Sequence, residues 1–375
     1  MRETKRITRA AVATAAAGVL TAGLAIAPAS ATSSRSFIGQ FSKTTMIAST
    51  VPANGDVNPY GTAVVQQSQG NLVRGDVLIS NFNNSKNVQG TGTTIVQVSP
   101  HGTTTQFARI NPHRLPAPCP GGIGLTTALE VLNGGWVVVG SLPTSHGGTV
   151  LTGTGCLLVL NSMGKVVETF SGHGINGPWD MAEVQSGPFA ELFVSNVLNG
   201  TAAAAGQVVN RGTVVRLVLA QSGGNPPQIV GATKVASGFP QRTDPAALVI
   251  GPTGLGVGAN GTLYVADTLS SRIAAIPDAM IRSTSGGRGQ TVSQGGALNG
   301  PLGLVIAPNG HILTVNSGDG NIVETTPSGL QVAKMMLDSS GSPPGAGALF
   351  GLAVAPGGSG VYYVDDATNT LNLLH

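Results

Sequence analysis

The stretch GPTGLGVGANGTLYVADTLSSRI, residues 251–273, decides the fold of this protein. It contains the pattern G-x-G-x-x-G from Gly256 to Gly261, which in dinucleotide-binding proteins joins a strand to a helix whose N-terminus holds the pyrophosphate. Residues 262–266 follow the glycines here, and they are β-rich with no helical period. The Asn260-Gly261 pair is typical of a tight turn between antiparallel strands. The stretch therefore predicts a β-hairpin and no dinucleotide site.

The same unit recurs along the chain. Aligning Gly254, Gly303 and Gly351 gives spacings of 49 and 48 residues, and periods of this size with several short strands per unit are typical of propeller blades. Looser copies precede these three. We therefore predict six units, which begin near residues 58, 121, 176, 251, 300 and 349.

The best of these units resembles the NHL repeat. The matching elements are Gly251-Pro-Thr-Gly254, Asn260-Gly261, Leu263-Tyr-Val-Ala-Asp267-Thr268 and Arg272-Ile273. The resemblance covers about residues 58–375 and is strong in the last three units. It implies an all-β fold, a six-bladed β-propeller in which each blade is a four-stranded antiparallel sheet. It also implies a structural role, bracing the turn after the second strand, for Asp267, Asn316 and Asp365.

Ring closure follows from counting strands. The last unit has predicted strands near 351–355, 361–364 and 370–374, and the chain then ends without a fourth. Residues 44–50 predict a strand before the first unit begins. This N-terminal strand can complete the last blade and leave less sheet edge exposed.

Residues 1–31 predict a secretory signal peptide, with a basic start, an apolar run of small residues and an A-x-A motif that places cleavage after Ala31. Residues 32–375 are then one propeller domain. We expect an extracytoplasmic protein, secreted or otherwise exported, with no stable membrane insertion once the leader is removed.

Charge argues against nucleic acid as a partner. The chain has 19 Lys and Arg and 16 Asp and Glu, of which the leader holds four and one, so the remainder carries 15 of each. A neutral chain with only 4% aromatic residues offers neither a phosphate-binding surface nor a stacking platform. We expect a monomer.

The two cysteines, Cys119 and Cys156, predict one disulfide in an exported protein, with two separate buried thiols as the alternative. Cys119 lies in the Pro-rich loop before the second unit, and Cys156 begins that unit's third strand. A bridge between them would pin the insertion at residues 142–155.

Propeller topology places the loops between blades and the loops between second and third strands on one face. Insertions at 81–92, 142–155 and 196–212 therefore rise from the same face, where loops commonly bind ligands. Polar and aromatic residues at the starts of first strands should ring the axis there. The predicted binding residues are Asn58, Asn176, Trp179, Asp180 and Asn299. Alternatively, the amides cap backbone groups.

Three histidines, His113, His146 and His173, map to the same face. Three imidazoles with an open fourth position are a zinc pattern, although scattered loop histidines are the alternative. One acid among three amides makes a poor calcium site. We predict no cofactor, with zinc or calcium as the alternative.

Two functions remain open. The first is an exported, non-enzymatic scaffold that binds a protein or small-molecule ligand through its loop-rich face. The alternative is a metal-dependent, lactonase- or lyase-like enzyme with its site at the mouth of the axial channel. Asn176-Gly-Pro-Trp179 resembles the opening motif of the lactonases, but Asn176 stands where that family has a metal-binding Glu.

Overall fold

Six antiparallel sheets succeed one another along the chain and form a six-bladed β-propeller. This computed structural model describes residues 35–144, 154–245 and 247–375. The predicted leader and its cleavage site lie outside the described residues. The first strand of each blade lies innermost, because these six strands contact one another in a closed ring and together line an axial cavity. The fold prediction is confirmed.

Blades 1 and 3 carry the longest strands. Blade 1 consists of β2 (Val57–Val64), β3 (Val77–Asn83), β4 (Gln89–Val98) and β5 (Thr104–Arg109). Blade 2 consists of β6 (Leu129–Leu132), β7 (Trp136–Ser141), β8 (Cys156–Leu160) and β9 (Val166–Phe170). Blade 3 consists of β10 (Pro178–Ser186), β11 (Phe189–Asn196), β12 (Val209–Ala220), β13 (Gln228–Asp244) and β14 (Leu248–Ile250).

The last three blades are more regular. Blade 4 consists of β15 (Pro252–Val257), β16 (Leu263–Asp267), β17 (Arg272–Ile276) and β18 (Gln290–Gln294). Blade 5 consists of β19 (Pro301–Ile306), β20 (Ile312–Asn316), β21 (Asn321–Thr325) and β22 (Gln331–Met336). Blade 6 consists of β23 (Leu349–Val354), β24 (Val361–Asp365), β25 (Thr370–Leu374) and β1 (Thr44–Ser49). Within the described ranges, short 3₁₀ helices span Ile38–Gln40, Ala202–Ala204, Thr268–Ser270 and Pro356–Gly358.

The N-terminal strand closes the ring, as predicted. Strand β1 pairs antiparallel with β25, from Thr44 opposite Leu374 to Ser49 opposite Thr370. Lys43 and His375 extend the ladder, because the N–H of each donates to the carbonyl oxygen of the other at 3.1 and 2.8 Å. The first and last of the described strands therefore share one blade.

Blade 3 departs from the four-strand expectation. Strands β12 and β13 form a ribbon longer than any other in the propeller, and β13 then turns back to pair with β14, Asp244 lying opposite Leu248. Its sheet therefore has five strands. The extension carries Arg242 and Asp244 over the loop-rich face.

The glycine-rich stretch is a hairpin, as predicted. Strands β15 and β16 pair with Val257 opposite Leu263, and a turn occupies the residues between them. The repeated glycines serve close packing of the inner strands. A Cβ on Gly303 would collide with the backbone oxygen of Phe350 in the next blade, and one on Gly351 with that of Tyr60. These collisions explain why the repeat keeps glycine at these positions.

The residues that the NHL resemblance assigned to turn bracing do brace the structure. Asp267 is fully buried, and its Oδ2 accepts from Arg272 and Arg288 at 3.0 and 2.8 Å. The side-chain amide of Asn316 donates to Asp319 Oδ1 at 3.0 Å. Asp365 accepts from the N–H of Thr368 at 3.1 Å.

Residues 35–41 pack onto the outside of the ring. Glu324 in β21 accepts from the backbone N–H groups of Phe37 and Ile38, both at 2.8 Å, and from the hydroxyl of Ser36 at 2.7 Å. Phe37 and Ile38 are buried against blades 5 and 6. A single carboxylate therefore anchors the segment that leads into the closing strand.

Cys119 and Cys156 form a disulfide, as predicted, with their Cα atoms 5.4 Å apart. Cys156 is fully buried. The insertion that the bridge was expected to pin lies largely outside the described residues. Within the described ranges, no helix is long and apolar enough to cross a membrane.

Candidate functional site

A pocket of about 410 Å³ opens at the centre of the loop-rich face. Its walls come from the starts of first strands, the ends of second strands, the β13–β14 hairpin and the loops of blades 5 and 6. Its lining residues are Asn58, Tyr60, Phe82, Gln89, Leu125, Thr127, Trp179, Arg242, Asp244, Ala247, Ile250, Leu302, Ser317, Ala346, Gly347, Phe350 and Asp366. We call it the mouth pocket.

The floor of the mouth pocket is aromatic. Tyr60 lies at its centre, with its ring centroid 5.8 Å from that of Trp179 and 5.3 Å from that of Phe350. Phe82 packs edge-on against Phe350 at 6.2 Å. The indole Nε1 of Trp179 donates to the hydroxyl of Tyr60 at 2.8 Å, which satisfies both polar tips within the apolar cluster. The chain has only 9 Phe, 4 Tyr and 2 Trp, so four aromatics on one floor are a marked concentration.

Charged groups lie on the pocket wall. Arg242 Nη2 pairs with Asp244 Oδ2 at 2.8 Å, and Asp244 Oδ1 accepts from the N–H of Ala247 at 3.1 Å. Asp366, in the turn between β24 and β25, has a pKa raised to about 7 by burial and by the nearby charge of Asp365. Its Oδ1 has no hydrogen-bond partner among the described residues. A carboxyl with this pKa exchanges protons near neutral pH.

A second cavity, of about 230 Å³, lies below the floor and is lined by all six first strands. Three carboxyls face it. Burial raises the pKa of Asp180 and of Glu183 to about 7 each. Burial and the charges of Glu183 and Asp180 raise the pKa of Glu130 well above its usual value. Tyr60 lines both cavities, so the aromatic floor separates them.

The five predicted binding residues do not lie together in the structure. Asn58 and Trp179 line the mouth pocket. Asp180 lies in the lower cavity, where the N–H of Leu255 donates to its Oδ2 at 3.2 Å. Asn176 and Asn299 line neither cavity.

The three asparagines share a structural contact at the start of a first strand. The backbone N–H of Asn176 donates to the Asn196 side chain at 2.6 Å, and that of Asn299 donates to Asn316 at 3.1 Å. The backbone N–H of Asn58 donates to Asn369 at 2.7 Å. The capping alternative had the side chains of these three asparagines accepting from backbone groups. In the structure, the backbone N–H of each one instead donates to the side-chain oxygen of a different Asn.

The histidines do not assemble a zinc site in the described part of the chain. His113 and His173 are exposed in the loops before blades 2 and 3, and neither lines the mouth pocket. His146 lies outside the described residues. Among residues 35–144, 154–245 and 247–375, no group of three or more His, Cys, Asp or Glu side chains is placed to hold a metal ion.

Sequence reasoning missed most of the pocket. Tyr60 and Phe350 each stand immediately before a repeat glycine, and an aromatic at this position was the available signal. Asp366 belongs to the Asp365-Asp366 pair at the end of a strand. Arg242 and Asp244 had no signal, because nothing in the sequence predicts the extra hairpin of blade 3.

No protein-family model matches the chain, and no curated protein matches it. Solved structures do. A gluconolactonase from Xanthomonas campestris is 14% identical, with a TM-score of 0.51 over 85% of this chain and 86% of that one. Regucalcin from Agrobacterium tumefaciens, a calcium-binding protein, is 14% identical, with a TM-score of 0.52 over 88% and 93%. A PQQ-bound aldose sugar dehydrogenase from Streptomyces coelicolor is 14% identical, with a TM-score of 0.51 over 88% and 97%.

These likenesses contradict the prediction that no cofactor is used, because the propellers that share this fold include a calcium-binding protein and a dehydrogenase with PQQ bound. The described residues of this chain nevertheless do not fit a metal centre, since they bring no suitable ligand set together. At 14% identity the likeness shows the fold. The chain is a six-bladed propeller of the architecture that gluconolactonase and regucalcin share, and membership of the NHL family stays a prediction.

Proposed function

We propose that the protein is an enzyme that acts on a small organic molecule bound in the mouth pocket. The observation that carries the proposal is that the carboxyl of Asp366 lines the same pocket as the aromatic floor, and its pKa of about 7 suits it to proton transfer. A volume of about 410 Å³ accommodates a small ligand. The aromatic floor favours a substrate with an apolar ring or chain.

The reaction class that we test first is ring opening of a cyclic ester. Asp366, as carboxylate, takes a proton from a water molecule as that water attacks the ester carbonyl. The ring C–O bond then breaks, and Asp366 returns the proton to the leaving oxygen. Arg242, held by Asp244, is placed on the pocket wall to stabilise negative charge on the carbonyl oxygen.

The names of proteins with this fold support an enzyme over a non-catalytic scaffold, since they include a gluconolactonase and a sugar dehydrogenase. Export, a monomeric state and the absence of a nucleic-acid partner remain part of the proposal. They rest on the leader-like residues 1–31 and on the balanced charge of the remainder.

The experiment measures acid release in a pH-stat with glucono-1,5-lactone and with dihydrocoumarin, an aromatic lactone, both with and without added Ca²⁺. We expect turnover that rises through pH 7 as Asp366 ionises. Asp366→Asn should lower kcat roughly 100-fold or more. The matched control is Asp278→Asn, an exposed acid in a turn on the opposite face.

Equal loss in the control variant, or full activity in Asp366→Asn, would overturn the assigned role of Asp366. Absence of turnover, together with no change in Trp179 fluorescence on adding either lactone, would overturn the proposal for this class of substrate.

A further inference from the structure

A second open groove, of about 470 Å³, lies on the face opposite the mouth pocket. It is built from the turns that connect first to second strands and third to fourth strands in blades 2 and 3. The long loop 65–76 of blade 1 adds a further wall. The blade 1 loop deepens the groove at that side.

Trp136 forms the apolar surface of this groove. It is the first residue of β7, it is half-buried, and it packs against the apolar core between blades 2 and 3 while also lining the groove. The other Trp of the chain, Trp179, is buried in the floor of the mouth pocket. An indole held from behind by the core and open on its groove side is a rigid stacking surface.

Amide side chains surround the indole and are held in place by one another. Gln221 donates from Nε2 to Gln185 Oε1 at 3.0 Å. Gln185 uses its own Nε2 on the carbonyl oxygens of Gly187 and Phe189, at 2.7 and 3.0 Å. The two bonds from Nε2 orient the side chain of Gln185. Its Oε1 therefore points at Gln221 and holds the Gln221 amide at the groove wall.

The blade 1 loop contributes a third amide. A Cβ on Gly135 would lie 2.8 Å from Cδ of Gln69, so the Gln69 side chain rests directly on the turn that precedes Trp136. The φ of 75° at position 135 lies in the left-handed region that favours glycine. Asn133 and Asn161 add further amides from turns of blade 2.

The described lining of the groove is neutral and rich in side-chain amides, which indicates the class of ligand it can bind. Its described lining contains Gln, Asn, Ser, Gly, Pro and Trp and no charged side chain, so nothing there pairs with a phosphate, a carboxylate or an ammonium group. Amides both donate and accept, as neutral hydroxyl groups require. The C–H face of a pyranose ring is weakly electropositive and matches the negative face of an indole.

We propose that this groove binds a neutral oligosaccharide, with one sugar ring stacked on Trp136 and its hydroxyls bonded to Gln69, Gln185 and Gln221. The groove lies on the face opposite the mouth pocket and shares none of its lining residues, so this binding does not depend on the proposed enzymatic function.

The test is calorimetric titration of the purified protein with three neutral hexasaccharides: cellohexaose, maltohexaose and N-acetylchitohexaose. A hexamer of galacturonate is the charged comparison. We expect at least one neutral oligosaccharide to bind. Trp136→Ala should weaken that binding roughly tenfold or more, because the stacking surface is lost. Gln221→Ala should also weaken it, with less risk to the fold, because Gln221 lies in a surface turn.

Asp366→Asn, in the mouth pocket, should leave oligosaccharide affinity unchanged, and Gln221→Ala should leave lactone turnover unchanged. The two proposals can therefore fail separately. The groove proposal is overturned by no binding of any neutral hexasaccharide at about 10 mM. It is equally overturned by tighter binding of galacturonate than of any neutral sugar, or by unchanged affinity in both groove variants.

Discussion

Removing the carboxylate of Glu324 should destabilise the whole propeller. Its two oxygens accept from Ser36, Phe37 and Ile38, which anchor the N-terminal segment, and from Asn309 Nδ2 at 3.0 Å. His311 Nδ1 lies 2.6 Å from Oε1, and both side chains are fully buried. Glu324→Ala leaves these donors without a partner in a dry site.

Breaking a buried, charge-assisted network of this kind costs about 3–5 kcal/mol. Unfolding entropy of roughly 2.1 cal/mol/K per residue gives about 0.7 kcal/mol/K for the propeller, residues 35–375. The expected fall in Tm is therefore about 4–7 °C. Glu324→Gln keeps one acceptor oxygen and should cost less, about 2–3 kcal/mol.

The pH dependence provides a second readout. Burial alone would raise the pKa of Glu324, but hydrogen bonds from Phe37, Ser36, Asn309 and Ile38 lower the pKa below its usual value. A depressed folded-state pKa gives stability that is complete above the unfolded pKa of about 4.3 and is lost as pH falls through the folded value. The difference in free energy of unfolding between wild type and Glu324→Gln should therefore become smaller below about pH 4.

Urea denaturation at pH 7 and in steps down to pH 3 measures both effects, with Asp278→Asn as the exposed acid control. If the free energy of unfolding of Glu324→Ala at pH 7 is within about 1 kcal/mol of the wild-type value, the anchoring argument is wrong. The argument is also wrong if the difference in free energy of unfolding between wild type and Glu324→Ala is the same at every pH.

Three further outcomes are expected. Replacing Cys119 and Cys156 by Ser should lower the free energy of unfolding by about 3–4 kcal/mol, since the disulfide closes a loop of sequence separation 37; an unchanged urea midpoint would contradict this. Deleting residues 35–49 should expose the edge of β25 and cause aggregation or a large loss of Tm, whereas a monomer of normal Tm by light scattering and calorimetry would show closure by another route. Because burial raises the pKa of Glu183 to about 7, its contribution to stability falls as pH rises from about 4.3 through 7; Glu183→Gln should therefore raise Tm by a few degrees at pH 8 and little at pH 5, and equal shifts at both would refute the assignment.

The ring and its closure could be predicted because both depend on local, repeated features. A fixed period near 49 residues and a last unit with three strands were enough to assign β1 to the last blade. Closure needs only the order of strands, which the sequence displays directly. The disulfide was predicted separately, from the presence of two cysteines in an expected exported protein.

The depth at which each side chain lies along the propeller axis could not be predicted in the same way. Trp179 and Asp180 are neighbours, yet one lies in the mouth pocket and the other in the cavity below. The register of β10 shifts between Pro178 and Met181, so simple alternation does not apply there. Tyr60 and Phe350 are distant in sequence and meet only because the ring closes.

The aromatic floor gives the axial acids different roles. Asp180, Glu130 and Glu183 lie below the floor, and Asp366 lies above it. Tyr60 is only 1% exposed and its hydroxyl is bonded to Trp179, so a ligand in the mouth pocket does not contact the lower acids while the floor is intact. Protonation of the lower acids therefore affects only the stability of the ring, whereas protonation of Asp366 affects stability and would also change the charge that a ligand in the mouth pocket meets.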